Sequence, residues 1–146
     1  MIFREEQGDL FTEDILREYV LCHCISSDFA LGAGIAKKFA AMGVKKKLIE
    51  QYNKQWQGRG YCLFVETDGV LVANLVTKER YFHKPTLETL RQSLEDLCEQ
   101  ALDRGLKMLA MPKIGCGLDK LQWDDVSAVV KEVFGGIEIE ILVKYI

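Results

Sequence analysis

Lys78 and Asp119 are the residues of this sequence whose types best suit a shared reaction. Lys78 follows an apolar run that predicts a strand, and Asp119 ends the glycine-containing segment 113–119. A neutral lysine amine is a nucleophile, and a carboxylate can accept and return protons. The ordinary alternatives are a solvated surface lysine and an aspartate that caps a helix predicted over residues 122–134. Both alternatives stay open from residue type alone.

Two glycine-rich segments are suited to an anionic oxygen. Gly32-Ala33-Gly34 opens a predicted helix, and Gly115-Cys116-Gly117 follows a predicted strand. Unpaired N–H groups in such turns bind phosphate, so two turns on opposite sides could clamp a diphosphate. A single Gly-x-Gly serves a tight turn equally well. Lys37 stands where a dinucleotide-binding fingerprint needs its third glycine, which argues against a Rossmann-type site.

Composition narrows the class of protein. The chain has 146 residues, 49% hydrophobic content and a net charge of −3. This size predicts one domain over residues 1–146, and no basic stretch suggests a grip on the backbone of a nucleic acid. No run of about 18 apolar residues is present, so we expect no membrane contact and a cytoplasmic protein.

Cysteines and histidines give no sign of disulfides or of a metal site. The five cysteines are odd in number and none is spaced as Cys-x-x-Cys, so we expect reduced thiols. His23 and His83 are the only histidines, and neither has a second ligand at metal-binding spacing. From the residues alone, the default interpretation of His23 is a buried, hydrogen-bonded side chain. No metal or cofactor is predicted.

Hydrophobic periodicity predicts alternating strands and helices. The helix pattern after the first glycine-rich segment breaks near Gly43 into two helices, and Asp68-Gly69 predicts a hairpin. Helices must cover both faces of strands this apolar, so the predicted fold class is a three-layer α/β/α sandwich around a mixed central sheet. Strands are predicted over residues 19–25, 61–66, 70–77, 106–111 and 137–145, and helices within 35–56, 86–104 and 122–134.

The ends of three predicted strands indicate where a site should lie. In open α/β sheets, ligands bind beyond the carboxyl ends of the strands. The corresponding loops follow residues 25, 77 and 111, and they contain Ser26, Lys78 and the segment 113–119. We therefore expect Lys78 and Asp119 to share one site beside the two glycine-rich turns.

Several short motifs occur along the chain in a specific order. They are Gly8-Asp9-Leu10-Phe11, His23-Cys24-Ile25-Ser26, Gly32-Ala33-Gly34-Ile35-Ala36, Thr77-Lys78, His83-Lys84-Pro85-Thr86, Ile114-Gly115-Cys116-Gly117-Leu118-Asp119 and Leu121-Gln122-Trp123. Together they resemble the terminal ADP-ribose protein glycohydrolase branch of the macrodomains, from about residue 8 to the C-terminus. The resemblance implies the macrodomain fold and a cleft for ADP-ribose.

The resemblance also implies roles for individual residues. Lys78 would be the nucleophile on the distal ribose carbon C1″, and Asp119 would act as acid and base. Asp9 and Leu10 would lie at the adenine end of the cleft. The implied ligand-binding residues are Asp9, Leu10, His23, Ser26, Gly32, Ala33, Gly34, Ile35, Ala36, Thr77, Lys113, Ile114, Gly115, Cys116, Gly117, Leu118 and Ile146.

The implied activity is removal of mono-ADP-ribose from glutamate or aspartate side chains, with O-acyl-ADP-ribose as a second substrate. An ester at C1″ has a carboxylate leaving group, so attack by an amine can open the linkage. Other hydrolytic macrodomains orient a water with an asparagine-rich loop, where this chain has Ser26-Ser27-Asp28. That departure favours the lysine route. The expected partners are ADP-ribose and ADP-ribosylated protein, and the expected state is a monomer.

Two other functions stay open under the same resemblance. One is hydrolysis of ADP-ribose from modified DNA, as in antitoxin-like macrodomains, and the weakly basic surface argues against it. The other is a non-catalytic ADP-ribose reader, and the presence of Lys78 and Asp119 argues against that. The pair Tyr81-Phe82 matches no motif, and we expect it to adjust what surrounds the distal ribose.

Overall fold

A six-stranded mixed sheet forms the centre of the computed structural model, which describes residues 1–146. The strands are β1 (Ile2–Gln7), β2 (Val20–Ser26), β3 (Tyr61–Thr67), β4 (Val70–Lys78), β5 (Met108–Met111) and β6 (Glu140–Tyr145). Their order in the sheet is β1-β6-β5-β2-β4-β3. β3 pairs antiparallel with β4 through the hairpin at Asp68-Gly69, as predicted, and the other neighbouring strands are parallel.

Five helices accompany these strands. They are α1 (Glu13–Glu18), α2 (Ala36–Ala41), α3 (Val44–Gln51), α4 (Leu87–Arg104) and α5 (Trp123–Phe134). Gly43 separates α2 from α3 with a φ of 99°, a left-handed conformation that glycine adopts at little cost, and this confirms the predicted break. A capping box of Thr86 and Thr89 starts α4. None of the five helices has the length and apolar character needed to cross a membrane.

Two apolar layers cover the two faces of the sheet. Leu94 of α4 and Val130 of α5 are fully buried in the layer on one face. Phe39, Val44 and Leu48 of α2 and α3 are fully buried in the layer on the other face. Burial of one such side chain stabilises the fold by roughly 1.5–3 kcal/mol, so both layers stabilise the sheet between the helices. The predicted α/β/α sandwich is confirmed.

The structure contains β1 and α1, which periodicity did not predict. Two of the predicted strands begin later than expected, β5 at Met108 instead of residue 106 and β6 at Glu140 instead of residue 137. β1 is an edge strand that pairs only with β6, and four of its six residues are polar or charged, so it has no apolar alternation. Leu106, the predicted first residue of the strand that became β5, closes the end of α4, because its N–H donates to the Ala101 carbonyl at 2.9 Å. Ile137 likewise closes α5 through the Phe134 carbonyl at 3.2 Å.

The pairing of β4 with β2 contains a register shift at its carboxyl end. Ile25 lies opposite Val76, but Ser26 lies opposite Lys78, which leaves Thr77 as an extra residue in β4. A bulge of this kind reverses the face to which the next side chain points. Regular alternation would place Lys78 on the same face as Val76, in the layer of α2 and α3. The shift turns it toward the opposite face.

Candidate active site

A cavity of about 450 Å³ opens beyond the carboxyl ends of β1, β5 and β6. This volume is typical of sites that bind a small molecule. It lies at the expected edge of the sheet and includes residues from the loops after residues 25 and 111, but none from the loop after residue 77. The cavity is lined by Gly8, Asp9, Leu10, Phe11, Gly34, Ile35, Lys38, Pro112, Lys113, Cys116, Gly117, Lys144, Tyr145 and Ile146.

Positive charge dominates the lining of this cavity. Three lysines, Lys38, Lys113 and Lys144, face a single acidic residue, Asp9. The ammonium group of Lys113 lies 4.4 Å from the centre of the Tyr145 ring, a distance at which a cation is attracted to an aromatic face. Although the chain as a whole is acidic, its cavity therefore suits an anionic ligand.

Several lining residues were not among the predicted ligand-binding residues. Lys144 and Tyr145 end the last strand, so the rule that ligands bind beyond strand ends would have found them if applied to β6. Lys38 lies one helical turn after Gly34, at the start of α2, and its ammonium group lies 5.5 Å from the centre of the Phe11 ring. These residues supply side-chain charge and aromatic surface that the glycine turns lack.

The two predicted glycine turns approach each other at this cavity. Gly34 has a φ of 58°, and a Cβ atom placed on it would lie 3.5 Å from Cδ1 of Leu118 in the second turn. Gly115 has a φ of 73°, and a Cβ there would lie 3.0 Å from Leu121. Glycine is therefore favoured at both positions for backbone conformation, and a side chain at position 115 would also displace Leu121. Gly34 and Gly117 both line the cavity, as a clamp around a phosphate requires.

Lys78 and Asp119 form an ion pair at the end of the second turn. Nζ of Lys78 lies 2.6 Å from Oδ1 of Asp119, and the side chains are 14% and 15% exposed. Asp119 follows the cavity-lining Gly117 by two residues. The cap of α5 is Gln122, so the alternative in which Asp119 caps that helix is wrong. The structure thus brings together the two predicted catalytic residues from loops 41 positions apart.

The bulge at Thr77 is what turns Lys78 toward this pair. Cys24 points into the layer of α4 and α5, and the charges of both Asp119 and Lys78 act on its thiol. Burial raises the pKa of the Cys24 thiol above its usual range, and the nearby Asp119 carboxylate raises it further. Lys78 lies opposite Ser26, two residues after Cys24 in β2, and so it shares the face of Cys24 rather than that of Val76. The Cys24 thiol stays protonated beside the ion pair.

His23 was predicted to bind the ligand, and the structure contradicts this. Its side chain is fully buried in β2, its Nε2 lies 2.6 Å from Oδ1 of Asn74, and its ring stacks on Phe39 with centres 3.8 Å apart. Burial lowers the pKa of His23 to about 4. The ring is therefore a neutral part of the core with no surface open to a ligand, as its default interpretation suggested.

Other predicted residues lie outside the cavity lining. Thr77 and Ile114 are buried, with 1% and 2% of their surface exposed, so their side chains pack inside the protein. Ser26 donates its hydroxyl hydrogen bond to Asp28 at 2.5 Å. The ligand-binding roles of the residues in this group stay predictions: Ser26, Gly32, Ala33, Ala36, Thr77, Ile114, Gly115 and Leu118.

Comparison of the sequence with known families and proteins gives consistent matches. The profile of the family described as Macro domain matches residues 22–130. The protein named ADP-ribose glycohydrolase OARD1 from Bos taurus is 43% identical over 139 residues, which cover 94% of this chain and 87% of that relative. The Homo sapiens protein of the same name is 42% identical with the same coverage.

Comparison of the fold with solved structures agrees. The macrodomain of Thermus aquaticus DarG matches with a TM-score of 0.78 at 21% sequence identity, and the match covers 98% of this chain and 97% of that one. At this level of identity the likeness concerns the fold alone.

Proposed function

The chain belongs to the macrodomain family, and from this membership and its site we propose that it binds ADP-ribose and hydrolyses ADP-ribosyl adducts. The observation that carries the proposal is the ion pair of Lys78 and Asp119 at 2.6 Å, in which Asp119 follows Gly117, a lining residue of the positively charged cavity, by two residues. A relative of 43% identity is named for ADP-ribose glycohydrolase activity, which supports the same reaction type here.

The proposed orientation of ADP-ribose follows the charges and turns of the cavity. The adenosine part lies toward Asp9 and Leu10, where the lining also includes aromatic rings. The diphosphate lies between the turns of Gly34 and Gly117, where backbone N–H groups and nearby lysines can neutralise its charge. The distal ribose then extends beyond Gly117 to the ion pair.

The proposed chemistry uses the ion pair as a nucleophile and its base. Asp119 takes a proton from the Lys78 ammonium group, and the neutral amine attacks C1″ of the distal ribose. The new N–C1″ bond replaces the C1″–O bond, whose electron pair leaves with the acceptor carboxylate. Water then attacks C1″, and the N–C1″ bond breaks with its electron pair returning to nitrogen. Asp119 returns its proton to the Lys78 amine, and the proton that water loses leaves to solvent, so ADP-ribose is released and the ion pair is restored.

The proposed substrate is mono-ADP-ribose esterified to glutamate or aspartate side chains of proteins, with O-acyl-ADP-ribose as a smaller ester of the same type. A carboxylate is a good leaving group because it is stable as an anion at neutral pH. The chain carries a net charge of −3, which disfavours approach of a polyanionic DNA strand. We propose that the protein acts as a cytoplasmic monomer.

The test of the substrate is release of ADP-ribose from glutamate-modified protein by wild type and by Asp119→Ala. Loss of the proton acceptor is expected to slow release by about 100-fold or more, within the usual contribution of a general base. The matched control is Asp125→Ala, an exposed aspartate of α5 that is expected to leave the rate unchanged.

Other outcomes would favour the other functions. A wild-type protein that binds ADP-ribose but releases none from any adduct is a reader, and the hydrolase proposal is then wrong. Release only from ADP-ribosylated single-stranded DNA would identify the substrate as a nucleic acid.

A further inference from the structure

The turn that follows Lys78 exposes two aromatic side chains that the fold does not use. Tyr81 and Phe82 are 66% and 64% exposed, and their rings meet edge to face with centres 5.4 Å apart. The centre of the Phe82 ring also lies 4.7 Å from the centre of the His83 ring. Aromatic surface left in water costs free energy, and exposed aromatic groups are enriched at sites that bind other proteins.

Hydrogen bonds from both neighbouring loops hold this turn in place. The Tyr81 N–H donates to Oδ2 of Asp28 at 3.0 Å, and the Lys84 ammonium group donates to the Leu118 carbonyl at 2.7 Å. The Ser27 hydroxyl donates to the Glu79 carbonyl at 2.7 Å. The exposed rings therefore sit on a backbone that is already ordered, which lowers the entropy lost when a partner binds.

The carboxylate of Asp28 anchors the turn over a wide pH range. Partial burial raises its pKa, but hydrogen bonds from Ser26, Tyr81 and Ala30 together lower it below its usual value. Asp28 is therefore held in its ionised form, and it accepts three hydrogen bonds, from Ser26, Ala30 and Tyr81.

The turn lies where the acceptor of ADP-ribose must leave the cleft. Residues 79–84 of the turn are absent from the cavity lining. Two links join the turn to the ion pair: Lys78 directly precedes it, and Lys84 donates to the carbonyl of Leu118, the residue before Asp119. Under the proposed function, ADP-ribose fills the cavity and C1″ lies at the ion pair. The group attached to C1″ therefore extends from the ion pair toward the turn.

The charge of the turn favours an acidic partner. Arg80 and Lys84 stand against one acidic residue of the turn, Glu79, in a chain whose net charge is −3. A positive patch on an acidic protein attracts a segment of opposite charge and orients it. The exposed rings can pack on the aliphatic parts of such a segment.

We propose that the turn of residues 79–84 is a binding surface for an acidic polypeptide segment that flanks the modified carboxylate. The inference rests on the proposed function, because it takes C1″ to lie at the ion pair. It assigns to Tyr81 and Phe82 the recognition of the acceptor rather than of ADP-ribose.

The test compares a large and a small adduct. The double variant Tyr81→Ala/Phe82→Ala is assayed on an acidic peptide with ADP-ribose on one glutamate and on O-acetyl-ADP-ribose. We expect KM for the peptide to rise about tenfold, as for loss of two aromatic contacts at an interface, with kcat/KM for the small ester unchanged within about twofold. The control is Leu102→Ala, a 58% exposed residue of α4, which should change neither value.

Binding measurements keep this inference separate from the hydrolysis itself. If wild type releases ADP-ribose from neither adduct, the proposed function fails, and the dissociation constants of the modified peptide and of free ADP-ribose still test the surface. The double variant should then weaken only the peptide. The inference would be overturned if the double variant bound the peptide and ADP-ribose with equally reduced affinity, or if it bound the peptide as tightly as wild type. A loss of affinity confined to ADP-ribosylated single-stranded DNA would overturn it as well.

Discussion

At the scale of single residues, one extra residue in β4 decides to which face of the sheet Lys78 points. The register shift at Thr77 carries the ammonium group to within 2.6 Å of Asp119. A strand that continued in register would aim Lys78 into the apolar layer of Phe39 instead. Bulges of this type are common beside active sites because they redirect a side chain without a new loop.

The hydroxyl of Thr77 carries an energetic cost that can be measured. Its Oγ1 atom is buried and has no hydrogen-bond partner, which costs about 1–3 kcal/mol. Thr77→Val replaces the hydroxyl by a methyl group of similar shape, so we expect the free energy of unfolding in urea to rise by about 1 kcal/mol.

Thr67→Val is the matched control for this prediction. The Thr67 hydroxyl is also buried, but it donates to the Met42 carbonyl at 2.6 Å, so the same change should lower the free energy of unfolding by about 1 kcal/mol. Equal losses in the two variants would contradict the account of Thr77.

His23 should make the fold sensitive to mild acid. Its pKa is lowered from 6.5 to about 4 in the folded state by burial, so the unfolded chain binds the proton more tightly. The contribution of the neutral His23 to the free energy of unfolding is therefore fully present above pH 6.5 and is lost as the pH falls toward 4. At pH 5 the loss from this group is about 2 kcal/mol, measured by urea unfolding.

A variant pair isolates the contribution of His23. His23→Gln is expected to remove most of the fall between pH 7 and pH 5, while His83→Gln, at an exposed histidine, should leave it unchanged. A wild-type stability that is flat over this range would show that His23 is not buried in its neutral form.

At the scale of elements, α4 protects an edge of the sheet. β3 is an edge strand, and side chains spaced four apart on α4 satisfy backbone groups at its start. Gln92 accepts from the Gly60 N–H at 2.8 Å, Asp96 accepts from the Cys62 N–H at 2.8 Å, and Gln100 donates to the Cys62 carbonyl at 2.9 Å. Groups left free there would be open to pairing with another chain.

Asp96→Ala tests this role of α4. Removal of the carboxylate leaves the Cys62 N–H without its charged acceptor, and we expect a loss of about 1.5–3 kcal/mol in the free energy of unfolding. Glu99→Ala, an exposed residue one position before Gln100, should change it by less than about 0.5 kcal/mol. A small effect of Asp96→Ala, equal to that of the control, would show that water replaces the carboxylate.

At the scale of the whole molecule, the sequence predicted the layers and the meeting of Lys78 with Asp119, because apolar periodicity and the rule of strand ends both act over long stretches. It did not predict β1, whose polar edge-strand pattern carries no period. It also missed Lys144, because the rule of strand ends was not applied to the last strand, and Lys38, which enters the cavity only once α2 is placed in the fold. The bulge at Thr77 has no sequence signal, since it is defined by the pairing of two strands.

In the proposed reaction, Lys78 performs the chemistry at a cavity that binds ADP-ribose without it. The most direct measurement takes Lys78→Ala and determines both the dissociation constant of ADP-ribose and the rate of its release from a glutamate-linked adduct. Lys46→Ala, an exposed lysine of α3, is the control. We predict a dissociation constant within about threefold of wild type and release slower by about 100-fold or more. Release by Lys78→Ala at the wild-type rate would contradict the account.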